Sequence, residues 1–178
     1  MKVVLATPLY PPDIAPPAPY IKELATRLKE AHDVHIVTYG HIPEAVFGVG
    51  IEAVSKRKRK LPRLISFTVA LYRKSKRADV LFVENGLSVE LPSLLCSLVL
   101  KTPIIFHIGD VSANAKSQKR FLPRLIQHLL KLRSHETIYA IPMERPEILP
   151  FGEPENIEPY ENSWKEHVRL INETLLHA

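Results

Sequence analysis

The chain has 178 residues, of which 46% are hydrophobic and 24% are charged. This length and balance are typical of one globular domain with a short appendage, and they exclude wholesale disorder. Cys96 is the only cysteine, which excludes a disulfide framework and a cysteine-rich zinc site.

The net charge of +5 at pH 7 conceals an uneven distribution of charge. Residues 53–78 contain ten lysines and arginines and no acid, and residues 111–135 contain six and no acid. All 19 acidic residues therefore lie elsewhere in the chain. Because basic blocks of this kind commonly contact phosphate, anionic lipid or nucleic acid, one side of the protein is predicted to face an anionic partner.

No apolar segment is predicted to direct the chain into a membrane. The run from Val3 to Ala6 is too short for the core of a signal peptide. The uncharged runs 64–72 and 91–100 are too short to span a bilayer. We expect a cytoplasmic protein, with peripheral attachment to the inner membrane face as the alternative.

Short β-branched runs alternate with longer helical patterns along the chain. The predicted strands are 2–7, 33–38, 46–54, 79–84, 103–107 and 136–141, and the predicted helices are 20–31, 61–77, 87–100 and 121–133. This alternation predicts an α/β domain over residues 1–150, with a Rossmann-like, doubly wound, mostly parallel sheet and helices on both faces. A site in such a sheet lies along the carboxyl ends of the strands.

The composition changes after the last predicted strand. Residues 142–159 contain five prolines, and residues 151–162 are predicted to be a linker rich in Pro and Glu. A helix is predicted over residues 163–177, with Ser163 as its N-cap and Glu166 completing a capping box. Because a helix this short is marginal alone, it must pack on the sheet domain or on another chain.

The sequence contains no glycine-rich phosphate loop. It has no G-x-G-x-x-G motif and no Walker loop, and its glycines number six in all. A dinucleotide-dependent enzyme and a P-loop NTPase are therefore disfavoured. The loop that follows the first predicted strand is instead rich in proline, between Pro8 and Pro19.

A family resemblance begins in this loop. The first fourteen residues, MKVVLATPLYPPDI, resemble the opening of GT-B glycosyltransferases of family 4, the glycosyl transferase group 1 type. The resemblance continues through YIKELATRL (20–28), AHDVHIVT (31–38), ADVLFVE (78–84), TPIIFHIGD (102–110) and ILPFG (148–152). It covers roughly residues 1–152, and the order and spacing of the segments carry it more than any single motif.

The resemblance implies one half of a two-domain enzyme. In that family the N-terminal half receives the acceptor, the C-terminal half binds a nucleotide-sugar, and transfer in the cleft between them retains the configuration. Residues 163–177 are similar to the family's last helix, which returns to the N-terminal domain. The resemblance thus implies an acceptor-side domain whose donor domain is missing, with a separate nucleotide-sugar-binding subunit as the expected partner.

The first loop departs from the family pattern. The family has a Gly-Gly pair where this chain has Ala15-Pro16. Glycine there lets the backbone donate N–H groups towards phosphate, whereas proline has no N–H and stiffens the loop. We expect poor phosphate contact at this turn, and a stand-alone transferase is the least favoured interpretation.

Candidate site residues follow from the resemblance. His107 ends the fifth predicted strand, where the family has a histidine that faces the cleft, and it is the candidate catalytic residue. The alternative is a histidine that closes the strand with ordinary hydrogen bonds. The candidate substrate-binding residues lie in the first loop and at strand ends, and they are Pro12, Asp13, Ile14, Ala15, Pro16, Glu84, Asn85, Gly86 and Asp110. The carboxylates among them have a structural alternative as loop caps or solvated side chains.

No cofactor and no metal are expected in this chain. His32, His35 and His41 lie on predicted loops and strands without the pairing of metal ligands, so a zinc site is disfavoured. Nucleotide-sugar binding belongs to the half that the resemblance assigns elsewhere.

The strongest local charge signal is a block of five basic residues before the second predicted helix: Lys56, Arg57, Lys58, Arg59 and Lys60. Each basic residue near an anionic leaflet contributes about 1 kcal/mol, so the block predicts docking on an anionic membrane surface. A solvated basic loop before a core helix is the alternative. Nucleic acid is disfavoured, because aromatic residues do not interleave with the basic ones.

Two functions are compatible with these features. The first is the acceptor-binding half of a glycosyltransferase, which transfers a sugar from a nucleotide-sugar to a membrane-associated or lipid-linked acceptor only when a donor-binding domain complements it. The second is a non-catalytic module, derived from a glycosyltransferase, that binds a glycan, an anionic lipid or a protein.

Overall fold

The computed structural model describes residues 1–15, 17–57, 59–139, 141–143 and 157–177. Six strands and six helices follow one another along these residues. In chain order they are β1 (Lys2–Ala6), α1 (Pro17–Leu28), β2 (Asp33–Tyr39), β3 (Gly50–Val54), α2 (Lys60–Ser75), β4 (Val80–Glu84), α3 (Leu87–Val99), β5 (Ile104–His107), α4 (Val111–Gln118), α5 (Phe121–Arg133), β6 (Glu136–Ile138) and α6 (Ile157–His177).

The strands form one parallel sheet in the order β3-β2-β1-β4-β5-β6. This confirms the predicted α/β class and the doubly wound arrangement. From β1 the chain winds outwards to β3, and from β4 it winds in the opposite direction to β6. The reversal between β1 and β4 leaves a crevice at the carboxyl ends of the strands, where doubly wound proteins bind ligands.

Successive side chains of a strand point to opposite faces of the sheet, so the apolar residues of the strands form two core layers. In β1, Val4 and Ala6 pack towards α2, α3 and α5, which together we call the α2–α3–α5 layer. Val3 and Leu5 pack on the opposite face, towards α1 and α6. Since every one of these four residues is nearly inaccessible to solvent, the strand has the continuous apolar sequence of a sheet covered on both faces.

Several boundaries differ from those predicted. Helix α1 begins at Pro17 rather than at residue 20, because the amide that proline lacks is not needed in a first turn. Strand β3 begins at Gly50 rather than at residue 46, and Gly48 before it has a φ of 80°, outside the β region. Helix α4 was not predicted, because only Ser117 within it is buried and its sequence has no apolar period.

Helix α6 also begins earlier than predicted, at Ile157 instead of residue 163. Residues 157–162, predicted as linker, are therefore helical. Pro159 is tolerated there because it lies in the first turn. The predicted capping box is wrong, since Ser163 lies inside the helix and its hydroxyl accepts a hydrogen bond from the Met143 amide at 2.7 Å. The rest of the predicted linker, residues 151–156, lies outside the described residues.

Helix α6 packs on the sheet domain of its own chain. Trp164 and Ile171 are buried in the core layer that α1 also covers. At the rim of this contact the Arg27 guanidinium donates two hydrogen bonds of 2.9 Å to the two carboxylate oxygens of Glu161. An apolar stripe thus faces the sheet while a bidentate ion pair joins α6 to α1.

Within the described ranges, no helix is both long enough and apolar enough to cross a membrane.

The packing of α6 can be tested with two substitutions on that helix. Ile171 is fully buried, whereas Leu176 is 74% exposed. We expect Ile171→Ala to lower the free energy of unfolding by about 2–5 kcal/mol, because it leaves a cavity beneath the helix. The matched control Leu176→Ala is expected to change it by less than about 0.5 kcal/mol. Urea denaturation followed by circular dichroism measures both, and equal small effects would show that α6 does not contribute to the core.

Candidate functional site at the carboxyl edge of the sheet

Two predicted site residues meet at the carboxyl ends of β4 and β5. Glu84 and His107 are paired in register on these neighbouring strands. The His107 Nδ1 lies 2.8 Å from a carboxylate oxygen of Glu84, and both side chains are 1% exposed. The carboxylate therefore fixes the orientation of the imidazole and favours the tautomer that carries a proton on Nδ1.

An aromatic side chain from α1 covers this pair. The Tyr20 ring stacks on the His107 imidazole, with the ring centroids 4.8 Å apart and the planes 20° apart. On its other side Tyr20 stacks on Trp164 of α6 at 5.6 Å. The Tyr20 hydroxyl shares a hydrogen bond of 2.8 Å with His167 Nε2. The Tyr20 ring therefore covers one face of the imidazole, which is itself 1% exposed.

Burial sets the protonation states in this cluster. The pKa of the Tyr20 phenol lies well above its ordinary value, because the ring is buried and, to a lesser extent, because the Glu84 carboxylate is near. Burial lowers the pKa of His167 to about 4, with a smaller contribution from His107. Near neutral pH, Tyr20 and His167 are thus an uncharged, hydrogen-bonded pair beside the Glu84–His107 pair.

Sequence reasoning did not assign Tyr20, Trp164 or His167 to the site. The sequence places Tyr20 only within the predicted helix 20–31, and Trp164 and His167 only within the predicted helix 163–177. Their association joins positions more than 140 residues apart in the chain, so no local motif could reveal it. The one available signal was the family resemblance, which implied that the last helix returns to this domain.

Asn85 and Asp110 join the loops that follow β4 and β5. The Asn85 amide nitrogen donates to the Asp110 carbonyl, and the Asn85 amide oxygen accepts from the Asp110 N–H, both at 2.8 Å. The Asp110 carboxylate accepts from the Ala113 N–H at 2.9 Å and from the Ser112 hydroxyl at 2.8 Å, and it caps α4. Both side chains therefore have structural partners in this conformation.

Gly86 lies where α3 approaches the first loop. Its φ of 153° is in the left-handed region that favours glycine, and an added Cβ would lie 3.2 Å from the Pro8 ring. Its N–H donates to the buried Glu90 carboxylate at 3.0 Å. The anion position at this helix N-terminus is thus occupied by the protein's own side chain, and burial raises the pKa of that carboxyl.

The predicted acceptor loop and the predicted basic block contact each other. The Lys56 ammonium lies 2.6 Å from the Asp13 carboxylate, and both side chains are partly exposed. Arg57, Arg59 and Lys60 are exposed and form no ion pair among the residues that the structure describes. Two other predicted residues, Pro16 and Lys58, lie outside the described ranges.

Exposed side chains surround the carboxyl edge. Pro12 and Ala15 are accessible in the first loop, and between them Ile14 is 96% exposed. Ile42, which follows β2, and Val111, which begins α4, are 74% and 70% exposed. Ile14, Ile42 and Val111 therefore leave exposed apolar surface on the loops at the carboxyl edge, which is a feature of interaction surfaces.

No group of three or more His, Cys, Asp or Glu side chains is placed to hold a metal ion within the described part of the chain.

Comparison with solved structures finds a similar fold. The chain resembles two crystal structures of Alr3699/HepE from Anabaena, one in complex with UDP and glucose and one with UDP. The TM-scores are 0.54 and 0.52, at 12% and 13% sequence identity, and each match covers 77% of this chain and 37% of HepE. At this identity the likeness shows the fold alone, a Rossmann-like α/β fold that matches one half of a GT-B structure. No family model and no curated protein matches the sequence.

The lowered pKa of His167 predicts a loss of stability in acid. The folded pKa of about 4 lies below the ordinary 6.5, so the unfolded chain takes up a proton at a pH where the folded chain does not. Stability is therefore complete above about pH 6.5 and falls as the pH drops towards 4. The expected contribution of His167 is a loss of about 2–3 kcal/mol between about pH 7.5 and pH 4.5.

The variant His167→Gln isolates this contribution, because glutamine can still accept a hydrogen bond from Tyr20 but does not titrate. Urea unfolding of both proteins at the two pH values provides the comparison. We expect the variant to lose less stability than the wild type by the stated amount. Equal losses in the two proteins would show that folding does not lower the pKa of His167.

Proposed function

We propose that this chain is the acceptor-binding half of a glycosyltransferase of the family 4 type. It transfers a sugar from a nucleotide-sugar to a membrane-associated acceptor when a donor-binding domain on a separate chain covers the carboxyl edge. The observation that carries the proposal is the state of that edge, where the loops at the carboxyl ends of a doubly wound sheet carry exposed apolar side chains. HepE, which has a similar fold, has been crystallised with UDP and glucose.

The carboxyl edge supplies one wall of the proposed transfer site. Small-molecule sites bury most of their ligand, and in a two-domain transferase that requires a second surface opposite the first. The exposed Ile14, Ile42 and Val111 side chains are placed to contact such a surface. Apolar burial of three side chains of this size provides several kcal/mol towards association.

Acceptor contacts are assigned to the first loop and to the loops after β4 and β5. The carboxylate and ammonium of Asp13 and Lys56 are both accessible there and can bind sugar hydroxyls or a phosphate. His107, oriented by Glu84, is assigned the proton transfer. Because the Tyr20 ring covers the imidazole, this role includes a displacement of Tyr20 when the acceptor binds.

The block of basic residues supports the proposed membrane location of the acceptor. Arg57, Arg59 and Lys60 are exposed and follow Lys56, which pairs with Asp13 of the first loop. Attraction of these residues to anionic lipid would hold the carboxyl edge near a membrane surface. This arrangement corresponds to a peripheral protein on the inner membrane face.

A transfer assay with radiolabelled UDP-glucose and a lipid extract tests the proposal. The chain alone is expected to transfer no sugar, whereas the chain mixed with a stand-alone donor domain encoded beside it is expected to label lipid. The variant Ile14→Asp with Val111→Asp is expected to lower this labelling at least about tenfold, because two charges would be buried at the interface. The control Leu176→Asp lies on α6 and is expected to leave labelling unchanged.

Transfer by the chain alone would contradict the split arrangement. Labelling that is insensitive to the paired Ile14 and Val111 variant would show that the donor domain does not cover this edge. Circular dichroism establishes that each variant is folded.

A non-catalytic module that binds a glycan, an anionic lipid or a protein is the second candidate. The observation that favours it is the burial of His107 beneath Tyr20, since a buried imidazole cannot exchange a proton with a substrate directly. The same assay separates the two candidates, because the module would bind its ligand and yet transfer no sugar with any donor domain.

A further inference from the structure

The α2–α3–α5 layer exposes apolar side chains along its outward side. Ile65 and Val69 of α2 are 55% and 50% exposed, and Leu95 and Leu98 of α3 are 43% and 64% exposed. Helix α3 packs against both α2 and α5, so its leucines lie between the two neighbouring helices. Their spacings of four and three residues place each pair on one side of its helix, opposite the residues that face the sheet.

Helix α5 extends this apolar surface. Phe121 and Leu132 are 82% and 70% exposed, while Ile126 and Leu130 of the same helix are buried against the sheet. Three adjacent helices thus each present exposed apolar side chains on the side away from the sheet, a feature of interaction surfaces. This surface is therefore expected to contact another apolar phase or partner.

The charges on this layer are of one sign. Helices α2 and α5 contain no acidic residue, and the only acid of α3 is Glu90, which is fully buried. The exposed charged side chains within these three helices are therefore basic, among them Lys60, Arg124 and Arg133. On the other side of the sheet α6 instead exposes Glu158, Glu166 and Glu173, while its buried residues Trp164, Ile171 and Leu175 face the core.

The positive charge of these helices indicates which partner can bind to this face. A second copy of the chain packed on the same face would bring two basic surfaces together without carboxylates between them, which is strongly unfavourable at an interface. An anionic lipid surface satisfies both features, because its acyl region takes up the leucine side chains and its headgroups attract the lysines and arginines.

We propose that the outward side of the α2–α3–α5 layer is a membrane-docking face that lies flat on an anionic phospholipid bilayer. This inference rests on the proposed membrane location and identifies the surface that provides it. The basic block ends at Lys60, where α2 begins, and α3 begins at Leu87 beside the crevice. Docking through this layer therefore keeps the carboxyl edge of the sheet next to the lipid headgroups.

Vesicle co-sedimentation of the full chain tests the proposal. The probes are vesicles of phosphatidylcholine alone and of phosphatidylcholine with phosphatidylglycerol, both at low salt. We expect at least about tenfold stronger binding to the anionic vesicles. The double variant Leu95→Gln and Leu98→Gln is expected to lower that binding roughly tenfold, because the docked protein then no longer inserts these two leucine side chains into the acyl region.

Two matched controls lie on α6, which is on the other side of the sheet. Leu176→Gln removes an exposed leucine, and Lys165→Gln removes an exposed cation. Both are expected to bind anionic vesicles within about twofold of the wild type. Circular dichroism is expected to be the same for all four proteins, since every substitution is at an exposed position.

The outcomes separate this inference from the proposals on which it rests. If neutralising Arg57, Arg59 and Lys60 abolishes vesicle binding while the Leu95 and Leu98 variant binds normally, the basic block alone docks and the proposed face is wrong. If the wild type ignores anionic vesicles, both the face and the membrane location are overturned, whereas sugar transfer is judged by its own assay. If the leucine variant instead converts a dimer into a monomer in light scattering, the face is a protein interface and the proposal fails.

Discussion

The stacking of Tyr20 between His107 and Trp164 holds the rest of this site in place. One phenol ring joins α1, β5 and α6, and its hydroxyl reaches His167 on the same final helix. The environment keeps both Tyr20 and His167 uncharged near neutral pH. Aromatic contacts of this kind add roughly 0.5–1.5 kcal/mol each beyond their buried area. The cluster therefore stabilises the packing of α6 on the sheet domain, and it also covers the His107 imidazole.

Because the Tyr20 ring covers the His107 imidazole, other groups at the carboxyl edge are the ones that a ligand can contact directly. The Glu84–His107 pair is oriented but covered, while Asp13 and Lys56 are accessible in the adjoining loops. Glu90 and Asp110 occupy the N-termini of α3 and α4, where phosphate could otherwise bind. The accessible groups thus suit a sugar or a headgroup better than a nucleoside diphosphate, which is what the proposed acceptor-side role requires.

The sheet could be predicted from the sequence because each strand is a short apolar run bounded by turn residues, and six such runs alternate with helical ones. Helix α4 could not, because the Asp110 cap and not an apolar period defines it. The start of α6 at Ile157 could not be predicted either, because a proline such as Pro159 normally ends a helix and is tolerated only in the first turn. The Tyr20 cluster depends on contacts across almost the whole chain, which no local pattern contains.

If this chain supplies the acceptor wall of a transfer site and another domain binds the nucleotide, the chain by itself should not bind UDP. Isothermal titration of the chain with UDP, in the absence of any donor domain, measures this. We expect no saturable binding up to about 1 mM UDP, which corresponds to less than about 4 kcal/mol of binding free energy. A dissociation constant in the micromolar range would overturn the proposed division of roles, because it would place the nucleotide site on this chain.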